Sequence, residues 1–102
     1  MNKVLVVGRI ESSEFKTFSN QGKEDRCLVL YVRWCEPKGI TGQDAEGLVA
    51  LTLYGRAMHL AEQQLEEGMV IEAECRAVSR RSEKGGCFTE CRVWVIRPLV
   101  RT

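Results

Sequence analysis

The sequence predicts an all-β fold, a five-stranded barrel with one short helix between the third and fourth strands. Runs with an apolar period of two recur along most of the chain and are separated by glycine-bearing turns. A single stretch, "RAMHLAEQQL", changes rhythm and places Ala57, Ala61 and Leu65 four residues apart. The length of 102 residues allows one modest core and not two, so residues 1–102 are expected to form one domain.

"KVLVVGRI", Lys3 to Ile10, reads as the first strand, with Gly8 at a bulge or sharp bend. Leu5 and Val7 oppose Val4 and Val6, so this strand is apolar on both faces and one of them needs an outside cover. "SNQGKED", Ser19 to Asp25, is a turn into the second strand, Arg26 to Trp34, which is also apolar on both faces. Cys35 to Gly47 has no periodic pattern and is the longest expected loop. In the third strand, Leu48 to Tyr54, Val49, Leu51 and Leu53 share one face and Leu48, Ala50, Thr52 and Tyr54 the other.

The helix is expected from Arg56 to Glu67, its stripe made of Ala57, Met58, Ala61 and Leu65 with Leu60 at the margin. No Ser or Asp caps its start, Glu66 and Glu67 oppose the dipole at its end, and Gly68 fits the C′ position. Packing of the stripe must therefore supply its stability. The fourth strand, Met69 to Ser79, turns Ile71, Ala73 and Cys75 inward and Glu72, Glu74 and Arg76 outward. "RRSEKGG", Arg80 to Gly86, is a hairpin. The fifth strand, Cys87 to Arg97, is expected to turn Cys91, Val93 and Val95 inward and Phe88, Glu90, Arg92, Trp94 and Ile96 outward.

Closing five strands into a barrel and plugging one end with the helix buries the stripe and removes most free edges, which is the OB-fold. With the interior sealed, binding falls to the outer wall and the loops.

Composition narrows the chemistry. The five cysteines include no CxxC pair, and His59, read as a surface helix residue, is the only histidine. Cys87 and Cys91 sit roughly 13 Å apart at strand rise, too far to clasp one ion alone. No nucleophile with a base and no phosphate loop occurs, so neither an enzyme nor a cofactor is expected. No apolar run approaches about 18 residues and the start lacks a cleavage pattern, so a cytoplasmic protein is expected. Net charge is +1, but Glu36 to Cys75 carries eight acidic and two basic residues, whereas Arg76 to Thr102 carries seven basic and two acidic. A polyanion can therefore meet a locally positive surface.

The candidate contacts are Leu48 and Tyr54 on the third strand, Phe88 and Trp94 on the fifth, and Trp34 or Tyr31 on the second. Arg80, Arg81 and Lys84 in the hairpin, Arg76 at its base, and Arg33 and Arg56 at other strand ends supply cations. Rings on which bases stack at roughly 1–3 kcal/mol each, beside cations for phosphates, are what sequence-tolerant single-strand binding requires. Plainer readings exist for each: Tyr54 as a half-buried sheet residue, Trp94 as a subunit-interface anchor, Trp34 as packing, and the hairpin cations as a solvated turn. Glu72, Glu74 and Glu90, outward on strands four and five, would repel phosphates, so a bound strand is expected over strands two and three and the hairpin.

The opening "MNKVLVVGRI", the approach "FKTFSNQGKEDRCLVLYV" and above all "LTLYGRAMHLAEQQLEEGMVIEAECRA" resemble the bacterial single-stranded DNA-binding protein (SSB) family, and more distantly the primosomal replication protein PriB. The resemblance implies a non-catalytic OB-fold binder of single-stranded DNA in replication, recombination or repair. It places Tyr54 at a base-stacking aromatic position, Leu48 at another that is usually Trp, Trp34 near a third, and Ser82 where the hairpin aromatic usually lies. It also implies self-association, a homodimer being favoured and a tetramer left open, and contacts with replication or recombination proteins. The family's long acidic-tipped tail is not expected in a chain ending at Thr102. The rival reading is a PriB-like protein-interaction module with weak or no nucleic-acid binding.

Overall fold

The structure, a computed structural model, describes residues 2–36, 45–81 and 85–99, without the side chains at 35, 36, 45, 46, 80, 81, 87 and 88. Its elements come in the expected order: β1 (Val4–Asn20), β2 (Lys23–Glu36), β3 (Ala45–Leu53), α1 (Gly55–Gln64), β4 (Val70–Arg81) and β5 (Cys87–Pro98). The strands close into a barrel in the order β1-β2-β3-β5-β4, with β1 returning to β4. Every pairing is antiparallel except β3 with β5, the pair that α1 and β4 separate in sequence.

The period-two residues fill the interior. Val6, Leu28, Leu30, Val32, Leu51, Leu53, Ile71, Ala73 and Cys75 form the core, and Met58 and Ala61 of α1 enter it from one end. The helix begins at Tyr54 with no side-chain capping bond, so burial of its stripe holds it in place. It ends sooner than expected. Leu65 is the C-cap, its N–H donating to the Ala61 carbonyl at 2.9 Å, and Glu66 and Glu67 lie beyond the helix. Gly68, at φ 91°, belongs instead to the turn into β4. Its N–H donates to the Ile10 carbonyl at 2.8 Å, and its own carbonyl accepts from Arg9 Nη1 at 2.7 Å, which stitches the turn to β1.

Several strands extend further than their apolar pattern indicated. β1 passes a bulge between Ile10 and Ser12 and continues to Asn20, paired with β2 as far as Asn20 opposite Lys23. The reversal is only Gln21-Gly22, at φ 51° and 78°, the left-handed pair of a two-residue hairpin turn. This ribbon buries little on either face, so no alternation marked it. Likewise Glu36 opposes Ala45 and Arg81 opposes Cys87, so strands run into both ends of the expected loops; residues 37–44 and 82–84 lie outside the described part.

The expected phase of β5 changes partway. Glu74 opposes Val95 and Cys75 opposes Val93, which leaves Trp94 as the extra residue of a bulge. Beyond it Val95 turns outward, 43% exposed, and Ile96 turns inward, 6% exposed, the reverse of the expectation.

Cys75 is fully enclosed, and burial, with a contribution from the charge of Cys91, pushes its thiol up to about 11. The folded state thus holds this proton more tightly than the unfolded chain does. The site's contribution to stability is complete below pH 9.0 and declines as pH rises through about 11. At pH 8 Cys75 is expected to resist iodoacetamide until urea unfolds the chain, followed by peptide mass spectrometry. Rapid native labelling would show that the barrel interior is open.

Candidate nucleic-acid interface

The outward residues of β2 and β3 floor a groove of about 400 Å³. Cys27 and Val29 lie in its floor with Ala50 and Thr52; Lys16 and Phe18 of the ribbon flank one side, and Thr89 and Glu90 of β5 the other. Cys27 and Val29 are buried although their phase points them away from the core. The groove accounts for β2 being apolar on both faces. One face fills the barrel and the other lies beneath these walls.

Tyr54, half-buried at the end of β3, is held from several sides. Phe18 meets its ring edge-on, with centroids 5.4 Å apart at 82°. Its hydroxyl donates to Glu90 Oε1 at 2.5 Å. The Arg92 guanidinium lies 5.3 Å from its ring centroid, and Arg92 Nε donates to Glu90 Oε2 at 3.2 Å. Farther along the groove the Tyr31 hydroxyl donates to Glu14 Oε1 at 2.7 Å. This bond holds the Glu14 carboxyl below its ordinary value and pushes the Tyr31 hydroxyl up.

The other predicted residues separate into distinct places. Leu48 is exposed on the outer face of β3 opposite Arg33. Arg33 is engaged by Glu11, Nε to Oε1 at 2.5 Å and Nη2 to Oε2 at 3.1 Å, and this hydrogen-bonded guanidinium holds the Glu11 carboxyl below its usual range. The bulge between Ile10 and Ser12 is what brings Glu11 there. Trp34 shares the phase of Val32, not that of Tyr54, and packs over Gly47, where a Cβ would come within 2.7 Å of the indole. Arg56 is exposed in the first turn of α1 and does not line the groove.

Arg76 and Trp94 form a second patch on β4 and β5, the guanidinium 5.3 Å from the indole centroid. Arg76 is also the cross-strand partner of Arg92, so cations connect this patch to Tyr54. The backbones of Arg80 and Phe88 pair across the hairpin and Arg81 pairs with Cys87, but the side chains of Arg80, Arg81 and Phe88, and all of Lys84, lie outside the described residues.

The outward glutamates on β4 and β5 do not stand as bare charges. Glu72 meets Arg97 at 3.2 Å, Glu74 meets Lys3 at 2.8 Å, and Glu90 meets Arg92 at 3.2 Å. Glu90, moreover, lines the groove and is not set aside from it as expected. Sequence reasoning missed Phe18 and Lys16 as groove residues, and Arg92 as the cation against the Tyr54 ring. The "NQG" turn with Phe15 and Phe18 just before it was the available signal for the ribbon. Among the described residues no cluster of His, Cys, Asp and Glu converges on a metal position, and no helix is long and apolar enough to cross a membrane.

No protein-family model matches the chain, and no curated protein matches it. Solved structures do. The single-stranded DNA-binding protein of Thermus aquaticus is similar at a TM-score of 0.78 and 22% identity, over 98% of this chain and 50% of that one. The chain thus spans about half the length of that relative. The Plasmodium falciparum SSB in complex with single-stranded DNA is similar at 0.71 and 15% identity, over 98% and 96% of the two chains. The yeast mitochondrial single-stranded DNA-binding protein Rim1 is similar at 0.70 and 19%, over 95% and 94%. The closed barrel, its helix between β3 and β4 and these likenesses together identify the chain's fold as the OB-fold of the single-stranded DNA-binding proteins.

Proposed function

We propose that the chain binds single-stranded DNA without catalysis, in the cytoplasm, in replication, recombination or repair. The observation that carries this reading is the outer groove, floored by apolar side chains and furnished with Tyr54, Phe18 and Tyr31 beside Lys16 and Arg92, on a barrel whose interior is filled. Rings take the bases and cations take the phosphates, without requiring a particular base. Arg76 and Trp94 continue the track across β5 onto β4.

A homodimer fits the outer face of β1. Leu5 and Val7 are 61% and 51% exposed, and Val95 stands on the same face across Glu74. The ion pairs Lys3–Glu74 and Arg97–Glu72 lie beside this apolar strip.

Titrating a labelled oligo(dT) series while measuring the mass of each complex tests the reading. The expected result is salt-sensitive binding with little base preference, weak binding to duplex, and two protein copies per complex. Equal affinity for duplex, or no binding at low salt, would favour the rival protein-interaction module.

A further inference from the structure

Among the described residues Glu90 is the only acidic side chain lining the groove, where a polyanion would be expected to meet repulsion. It is also only 12% exposed, and a carboxylate so placed is costly to keep charged unless its oxygens are paired. Both oxygens are engaged, and by the two groups a bound strand would touch: Oε1 accepts from the Tyr54 hydroxyl and Oε2 from Arg92 Nε. The same guanidinium lies against the Tyr54 ring, whose edge contact with Phe18 restrains it from another side.

We propose, on the footing of the single-strand reading above, that Glu90 is a positioning residue. It fixes the Tyr54 ring as a platform for a base and holds Arg92 beside it as a phosphate contact, so that an acidic side chain strengthens binding to DNA. The groups are ordered before the strand arrives, which lowers the conformational entropy lost on binding. Arg92, 37% exposed, keeps the rest of its fork available while Nε is held.

The test measures affinity for labelled oligo(dT) in the wild type, E90A, E90Q, Y54F, R92A and the double variant E90A/Y54F. E90A is expected to weaken binding roughly tenfold, as for loss of charge-assisted hydrogen bonds. E90Q keeps an acceptor for the Tyr54 hydroxyl but not one for Arg92, and falls between E90A and the wild type. Y54F, which deletes only the hydroxyl, weakens binding too, and E90A/Y54F loses less than the product of the single losses because the two groups act through one bond. R92A lowers the salt slope by about 0.7, one single-strand phosphate contact.

If Glu90 merely repels DNA, the order reverses and E90Q and E90A bind as tightly as the wild type or tighter; that overturns the proposal. Fully independent losses in E90A and Y54F overturn the link through Tyr54, and an unchanged slope in R92A overturns its phosphate role. Should E90A fail to fold, as read by its thermal melt, Y54F and E90Q still decide. Wild-type protein that binds no oligonucleotide defeats the single-strand reading and this proposal with it, whereas normal wild-type binding with unaffected E90 variants defeats this proposal alone.

Discussion

Tyr54→Ala is expected to lower the affinity for single-stranded oligonucleotide roughly 5- to 150-fold, the span that corresponds to losing one base stack of about 1–3 kcal/mol. The upper part of that range is favoured because the ring is the centre of a cluster. Without it Phe18 loses its edge contact, Arg92 loses the surface it lies against, and Glu90 loses its hydroxyl partner. The salt slope should change little, since no cation is removed. This separates Tyr54→Ala from loss of a phosphate contact, which flattens the slope. Tyr54→Trp should bind more tightly than Tyr54→Ala, because its aromatic face still stacks, but less tightly than wild type, because Glu90 loses its hydroxyl donor. Fluorescence anisotropy at several salt concentrations, with circular dichroism to confirm folding, reads all of these. Wild-type affinity in Tyr54→Ala would move the principal stack elsewhere, with Trp94 the first alternative because it is 52% exposed beside Arg76.

Tyr54 was legible in the sequence because β3 keeps a strict alternation. Leu51 and Leu53 are fully buried, which leaves Tyr54 to the outer wall by phase alone. The same logic located the strands around Val6, Ile71, Ala73 and Cys75, and the helix through Met58 and Ala61. It failed where burial does not dictate residue type. Ser12 to Asn20 pairs along its length with β2 yet covers no core, so no apolar alternation marked it as strand, and Phe18 was lost with it. The reversal of Val95 and Ile96 had no signal either, since a bulge costs one residue and Trp94 suits either face. Trp34 was ambiguous for a different reason. Its phase is that of the core, but it lies at the barrel end, where a ring can cover a glycine as readily as a base. Arg92 was placed outward correctly, but its significance depends on Glu90, two residues before it on the same strand, and on Tyr54, which the β3–β5 pairing brings to it.

That barrel closure makes its strongest demand at Gly8, and Gly8→Val is expected to abolish folding, with Gly8→Ala costing about 3 kcal/mol or more. β1 pairs with β4 from Val4 to Arg9 and with β2 from Arg9 onward, so Gly8 stands at the corner where the strand leaves one neighbour for the other. A Cβ there would lie 2.4 Å from the Arg33 carbonyl oxygen and 2.7 Å from Val32 Cγ1. Neither neighbour can readily retreat. Arg33 is held by pairing to Arg9 on one side and Leu48 on the other, and Val32 is fully buried in the core. On its other side Gly8 opposes Ile71, also fully buried, so β1 has no slack in which to shift. The added methyl must therefore part β1 from β2, which opens the barrel and disturbs the strand whose outer residues floor the groove. Gly22→Ala provides the contrast: a Cβ there meets nothing within 4 Å, and only the left-handed backbone at φ 78° is strained, at roughly 1 kcal/mol. Urea unfolding of the three variants beside wild type measures the difference. Gly8→Ala within about 1 kcal/mol of wild type would mean that β1 does not turn against Arg33 as described, and that the wall carrying Tyr31 and Arg33 is placed differently.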